Sequence, residues 1–223
     1  MGKASRRKQQ QRVGGAVTAP IEVDRGPWLH GTDAPFDQWA VPPPKKRDDP
    51  LSVPHSAVFL TKHEDYAAGA GGRICEASLE PGASVLVAGI PSQASEALRL
   101  ALRRRPVVGS CWWLRNETTW LGSWRSGDVM RFAADTDALQ ALVSRGASML
   151  RQIAPDLPPE ALVMGAQHNM TRGWIEEIVK AARALGFDAL QGHEIDRHAG
   201  PQPIARPWLA VFKADALSAP VWR

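Results

Sequence analysis

Long apolar segments are missing from this chain of 223 residues, and cysteine is scarce. No apolar run approaches the roughly 18 residues that a membrane-spanning helix needs, so we expect no contact with a membrane. No apolar segment follows the basic residues near the N-terminus, which predicts that no secretory signal is present there. Two cysteines, Cys75 and Cys111, cannot build a disulfide framework, and two reduced thiols in a cytoplasmic protein are the simpler interpretation.

Familiar cofactor and metal motifs are missing as well. No Gly-x-Gly-x-x-Gly sequence follows a predicted strand, so a Rossmann dinucleotide fold has no support. His193, Glu194 and His198 do not form a His-Glu-x-x-His motif, because the second histidine comes one position too late for both rings to share a helix face. Neither cysteine has partners at zinc-finger spacing. The sequence therefore predicts no metal site.

Positive charge is concentrated near the N-terminus. The formal net charge is +4, and residues 3–12 carry five Lys or Arg and no acid. Such runs usually stay solvated, so residues 1–20 are expected to form a disordered basic tail. The tail could contact phosphate groups, which makes nucleic acid a candidate partner.

Residues 21–223 are expected to form a single domain. Strands and helices mix without a regular βαβ alternation, which favours an α+β fold over a doubly wound sheet. The segment 40–54 contains three consecutive prolines and is predicted to be an exposed loop. Strands are predicted at 27–31, 56–61, in two runs within 73–89, at 107–114, 187–190 and within 207–217; helices are predicted at 64–69, from 92 or 95 to 105, at 135–154, 158–167 and 171–185.

A dense group of tryptophans surrounds the predicted strand at 107–114: Trp112, Trp113, Trp120 and Trp124. Tryptophan supplies a large buried area, so these rings are expected to pack in a core or a cleft. The alternative is a stacking surface for nucleic-acid bases.

Five segments occur in an order that resembles a known enzyme family. Trp28–Thr32 (WLHGT), 57–67 (AVFLTKHEDYA) and 72–87 (GRICEASLEPGASVLV) look like the opening of an ADP-ribosyltransferase of the diphtheria-toxin and poly(ADP-ribose)-polymerase type. The segments 184–191 (ALGFDALQ) and 208–217 (WLAVFKADAL) are similar to the closing pair of that family. The resemblance implies two small mixed or antiparallel sheets packed together with flanking helices, and residues from about 92 to 167 would be a helical insertion.

The resemblance also implies a site that uses NAD as co-substrate. His30 would hydrogen-bond a ribose hydroxyl, and Tyr66 would stack on the nicotinamide ring. The backbone of Gly31 would reach the carboxamide because glycine has no side chain in the way, and Thr32 would add a ribose contact. Positive charge builds on the sugar as nicotinamide leaves, so the protein needs positioning and electrostatic stabilisation more than a strong nucleophile.

The chain departs from the family at the third motif. Transferring members often place a glutamate near the start of the last strand, where alignment puts Trp208 or Leu209 here. Neither side chain can accept a proton or carry charge. Glu194, expected on a loop upstream of that strand, is the candidate replacement, which gives His30, Tyr66 and Glu194 as the catalytic set.

The implied function is an NAD-dependent ADP-ribosyltransferase that modifies an unidentified protein or nucleic acid, in the manner of a toxin or effector. Three alternatives remain open: an RNA 2′-phosphotransferase-like enzyme, a non-enzymatic module that binds NAD or ADP-ribose, and a nucleic-acid-binding protein without NAD chemistry. Taken singly, a histidine at a strand end or a tyrosine after a strand is more often structural.

Overall fold

The computed structural model describes residues 22–44, 55–88, 92–104, 136–196 and 204–223. The strands within these ranges are β1 (Trp28–Thr32), β2 (Val58–Thr61), β3 (Arg73–Ala77), β4 (Val85–Val87), β5 (Ala189–Asp196), β6 (Ile204–Val211) and β7 (Val221–Trp222). The helices are α1 (Glu64–Ala68), α2 (Gln93–Arg104), α3 (Thr136–Ile153) and α4 (Pro159–Ala184), with a 3₁₀ turn at Ala214–Ala216. The basic tail and the tryptophan-rich segment around 107–114 lie outside the described residues.

The described strands form one seven-stranded sheet in the order β4-β5-β6-β2-β1-β3-β7. Strands β4 and β5 are parallel, and the other neighbouring pairs are antiparallel. The predicted α+β class is therefore confirmed. The two separate sheets that the resemblance implied are not present as such in these ranges, because β1 and β2 pair and join all seven strands.

The junction between β1 and β2 is the weakest point of the sheet. These strands pair in register at Leu29 and Thr61 alone. In contrast, β1 pairs with β3 from Trp28 through Thr32, and β2 pairs with β6 along its whole length. We therefore call β4, β5, β6 and β2 the first half-sheet, and β1, β3 and β7 the second half-sheet.

The two faces of the sheet bury separate hydrophobic cores. Along β6, Trp208 and Ala210 belong to one core and Leu209 and Val211 to the other, as the alternation of side chains on a strand requires. The first core packs against α2, α3 and α4 through aliphatic residues such as Leu98, Val143, Leu162 and Ile178. The second core is covered by irregular segments near both ends of the described chain and contains Trp28, Trp39 and Leu217.

Helix α4 is longer than the sequence pattern indicated. Two helices were expected, at 158–167 and 171–185, with Thr171 as the N-cap of the second. The structure has one helix of 26 residues, Pro159–Ala184. No Gly or Pro lies between 168 and 170 to interrupt the backbone hydrogen bonds, so the helix continues through Thr171. The predicted end is confirmed, since Gly186 follows the helix with a φ of 89°.

Candidate functional site

His30 lies on β1, directly opposite the buried Cys75 of β3. Its Nδ1 is 2.8 Å from the carbonyl oxygen of Phe59 on β2, at the junction where the two half-sheets part. A carbonyl can only accept, so Nδ1 carries the proton and donates it. In the neutral ring this leaves Nε2 as a hydrogen-bond acceptor.

Burial keeps the imidazole neutral. Desolvation lowers the pKa of His30 below its ordinary value, and the hydrogen bond to Phe59 offsets part of this effect. Two aromatic rings meet the imidazole at their edges: the ring centroid of Trp39 is 5.4 Å away and that of Phe36 is 6.0 Å away. Trp39 is itself fixed by a hydrogen bond from Nε1 to the carbonyl of Ser218 at 2.8 Å. His30 is therefore held in one orientation with one defined tautomer.

Gly31 is the point where β1 and α1 touch. A Cβ at this position would overlap the carbonyl oxygen of Ala67 and lie 2.6 Å from its carbonyl carbon. Only a residue without a side chain lets the helix approach this closely. The helix that carries Tyr66 therefore rests directly on the backbone of the His-Gly-Thr segment.

The hydroxyl of Thr32 forms hydrogen bonds with the backbone two residues further along the chain. Oγ1 donates to the carbonyl of Ala34 at 3.2 Å and accepts from the Ala34 amide at 3.4 Å. The backbone of Gly71 also packs against the backbone of Thr32. These contacts shape the turn after β1, and a ribose contact from this hydroxyl would have to replace them.

Tyr66 lies on α1 with 36% of its surface exposed. The guanidinium carbon of Arg206 is 5.7 Å from the centre of its ring, within the range of a cation–π contact. Arg206 also binds Asp65, with Nη1 donating to Oδ1 at 3.2 Å and Nη2 to Oδ2 at 3.0 Å. Strand β6 is thus attached to α1 immediately beside the tyrosine.

The expected loop position of Glu194 is wrong. Strand β5 continues to Asp196, because it pairs residue by residue with β6 over its full length, and Glu194 lies inside this strand. Its partner in the register is Arg206. Trp208 and Leu209 are buried at 5% and 0% exposure, so they belong to the two cores.

The structure brings Gly31 and Tyr66 together at α1, and it relates Glu194 to this helix through the strand register of Arg206. The helix contacts Gly31 of β1 on one side and Arg206 of β6 on another, and Arg206 is the cross-strand neighbour of Glu194. The ring of His30 does not lie on that face. Since successive residues of a strand point to opposite faces, His30 points away from α1, toward Phe36 and Trp39.

Sequence reasoning missed Arg206. It is separated from Asp65 by 141 residues, and an ion pair over such a distance leaves no local pattern. The only trace in the sequence is the acidic pair Glu64 and Asp65 directly before Tyr66.

Other chemistry finds little support in the part of the chain that the structure describes. Burial raises the pKa of Cys75 to about 11, so its thiol is a poor nucleophile at neutral pH. Within these ranges no three His, Cys, Asp or Glu side chains come together in a way that could hold a metal ion. None of the described helices combines the length and apolarity that crossing a membrane would require.

No protein-family model and no curated protein matches this sequence. A solved structure described as "Crystal structure of an anti-CRISPR protein" is similar to the chain at 13% identity, over 91% of this chain and 100% of that chain, with a TM-score of 0.32. A similarity this low supports no conclusion about fold or function.

Proposed function

We propose that this protein is an NAD-dependent ADP-ribosyltransferase that transfers ADP-ribose to a macromolecular acceptor. One observation supports this most: α1, which carries Tyr66, rests on Gly31 and is attached to Arg206, the strand partner of Glu194. Residues of β1 and β6, which are far apart in the sequence, thus both contact this one short helix. We further propose that the two half-sheets correspond to the two packed sheets that the family resemblance implies.

The proposed binding mode uses the point where β1 and β2 part. The nicotinamide ring stacks on Tyr66, and its carboxamide bonds to the backbone of Gly31, which lies against the same helix. A ribose hydroxyl donates to Nε2 of His30, whose Nδ1 is already bonded to Phe59. Because Gly31 and His30 face opposite sides of β1, the dinucleotide would have to bend around the strand at the junction.

In the reaction, the bond between C1′ of the ribose and the nicotinamide nitrogen breaks, and its electron pair leaves with the neutral nicotinamide. Positive charge then develops on the sugar. The acceptor attacks C1′ and releases a proton as the new bond forms. We assign Glu194 to stabilise the sugar charge and to orient the acceptor, since a carboxylate near a developing cation lowers the barrier.

The test is incubation of the full chain with NAD labelled in its adenylate part and a cell lysate. The variants are Tyr66→Ala, His30→Ala and Glu194→Gln, and Glu160→Gln on α4 is the matched control for the last. We expect label on protein or nucleic acid with the parent chain and the control, and loss of label in the three site variants. A melting curve for each variant shows whether it is folded.

Three results would change this conclusion. Release of free nicotinamide without transferred label would indicate hydrolysis of NAD rather than transfer. Binding of NAD without turnover would indicate a non-enzymatic module, and the absence of NAD binding would refute the proposal altogether.

A further inference from the structure

Helix α1 is too short to be stable by itself. It spans five residues, Glu64–Ala68, and an isolated helix of this length does not form in water. No side chain caps its N-terminus. Its position must therefore come from contacts with the rest of the molecule, and both of its acidic first-turn residues are ion-paired.

Asp65 is bound to the first half-sheet. Arg206 of β6 grips its carboxylate with two parallel hydrogen bonds of 3.0 and 3.2 Å. Bidentate pairs of this kind fix direction as well as distance. Only 11% of the Arg206 side chain is exposed, so the guanidinium has little freedom of its own.

Glu64 is bound to the second half-sheet. Arg223, which follows β7, donates from Nη1 to Glu64 at 3.1 Å and from Nη2 to Glu76 of β3 at 2.8 Å. The backbone amide of Arg223 also bonds to the carbonyl of Ile74 at 3.1 Å. This arginine is therefore anchored on β3 while it holds the start of α1.

We propose that α1 is a bridge between the half-sheets and that Arg206 and Arg223 are positioning residues for Tyr66. The half-sheets share one strand residue pair at their junction, so further contacts across it, those of α1 among them, help to set their relative position. Adjacent residues, Glu64 and Asp65, attach the helix to opposite sides of the junction, directly before the ring that would stack on nicotinamide. The effect on NAD rests on the proposed function, whereas the effect on α1 does not.

The experiment is a double-mutant cycle on the full chain with two measurements. The variants are Asp65→Asn, Arg206→Gln and their combination, with Glu64→Gln for the second pair. Asp156→Asn, an exposed residue in the turn between α3 and α4, is the control. Hydrogen exchange reports on the amides of Ala67 and Gly69, which bond to the carbonyls of His63 and Asp65. Equilibrium titration reports the affinity for NAD.

We expect each single variant to speed exchange in α1 and to weaken NAD binding, each by up to about fivefold, the equilibrium equivalent of one exposed ion pair. Asp65→Asn should add nothing in the Arg206→Gln background, because the two residues act through each other. The control should match the parent chain in both measurements.

Two results would refute the proposal that α1 bridges the half-sheets. One is an unchanged exchange rate in α1; the other is a double variant in which the effects of the two single substitutions multiply. Another outcome is that the exchange rates show the expected coupling of Asp65 and Arg206 while the parent chain binds no NAD. In that case the proposed function fails, and the role of the ion pairs in holding α1 stands. If NAD binds with unchanged affinity in all variants, the proposed function survives and the positioning of Tyr66 by the arginines is refuted.

Discussion

The two faces of the sheet are covered by very different material. One face packs against α2, α3 and α4 through a core that is mainly aliphatic, with Trp208 and Phe212 as its buried aromatic residues. The other is covered by segments without regular structure, and three tryptophans fasten them. The indole N–H of Trp28 bonds to Asp24 at 3.1 Å, that of Trp39 to Ser218 at 2.8 Å, and that of Trp222 to Phe36 at 3.2 Å, each at a backbone carbonyl.

This difference shows how segments without regular structure can fix the orientation of a polar group. Aliphatic packing is non-directional and depends on buried area. An indole adds area together with one hydrogen bond of fixed direction, so each tryptophan fixes both the loop and its own ring orientation. We call the side of the sheet that carries Trp28, Trp39 and Trp222 the tryptophan face. His30 lies on this face, where Trp39 contacts its ring and no helix is needed to hold it.

Truncation in the aliphatic core should give the largest loss of stability. Ile178 of α4 is 1% exposed, and Ile178→Ala should lower the free energy of unfolding by about 2–5 kcal/mol through lost burial and an unfilled cavity. Chemical denaturation measures this loss. Ile153→Ala, at a position with 69% exposure, should change the value by less than about 0.5 kcal/mol. Equal losses at both positions would mean that Ile178 is not in a packed core.

Adding a methyl group at Gly31 should give the second largest loss of stability, because it disturbs the contact between β1 and α1. The added Cβ would meet backbone atoms of Ala67, which cannot rotate away, so Gly31→Ala should cost about 1–3 kcal/mol and displace the helix. Denaturation gives the cost, and hydrogen exchange shows whether α1 has moved. Gly72→Ala is the matched control, because no heavy atom lies within 4 Å of its Cβ position. Similar behaviour of the two variants would contradict the close approach.

Local patterns predicted several elements well. Strand β1 was expected at 27–31 and is found at Trp28–Thr32, and the expected helix at 135–154 is found at Thr136–Ile153. In both cases, apolar spacing and the flanking residues carry enough information. The helix that carries Tyr66 was expected at 64–69, ended by glycines. It is found at Glu64–Ala68, directly before Gly69.

Pairing partners could not be predicted in this way. Residues 73–89 contain two strand-like runs around a turn, yet β3 pairs with β1 and β7, whereas β4 pairs with β5. Strand β5 also extends to Asp196 through a polar sequence that lacks apolar alternation. Its length is set by the neighbouring strand β6, and the proximity of Glu194 to Arg206 follows from that register alone.

Removal of one indole hydrogen bond should have a moderate effect on the tryptophan face. Trp39→Phe keeps an aromatic ring but leaves the carbonyl of Ser218 without its 2.8 Å donor, which should cost about 1 kcal/mol. Trp222→Phe removes a longer bond of 3.2 Å at a less buried site and should cost less. Thermal and chemical denaturation rank the two variants. The reverse order would show that these hydrogen bonds do not fasten the loops as proposed.

The smallest expected effect is a pH dependence that originates at His30. Burial lowers the pKa of this imidazole in the folded protein, whereas in the unfolded chain the imidazole titrates near its ordinary pKa of 6.5. Between the two pKa values the unfolded chain binds more protons, so the free energy of unfolding falls as the pH drops below about 6.5. Above that pH both states are neutral at this residue and its contribution is fully present. The slope from one such group cannot exceed about 1.4 kcal/mol per pH unit.

Urea denaturation of the parent chain and of His30→Gln between about pH 7.5 and about pH 5.5 isolates this term, because every other group titrates in both proteins. We expect the stability of the parent chain to fall more steeply with acid than that of the variant. Trp39→Phe should show an intermediate slope, since a smaller neighbouring ring admits more water to the imidazole and reduces its desolvation. Parallel curves for all three proteins would mean that His30 is as solvated in the folded state as in the unfolded chain. The tryptophan face would then hold the ring in place without excluding water from it, and Nε2 would be a neutral acceptor for the proposed NAD site only above about pH 6.5.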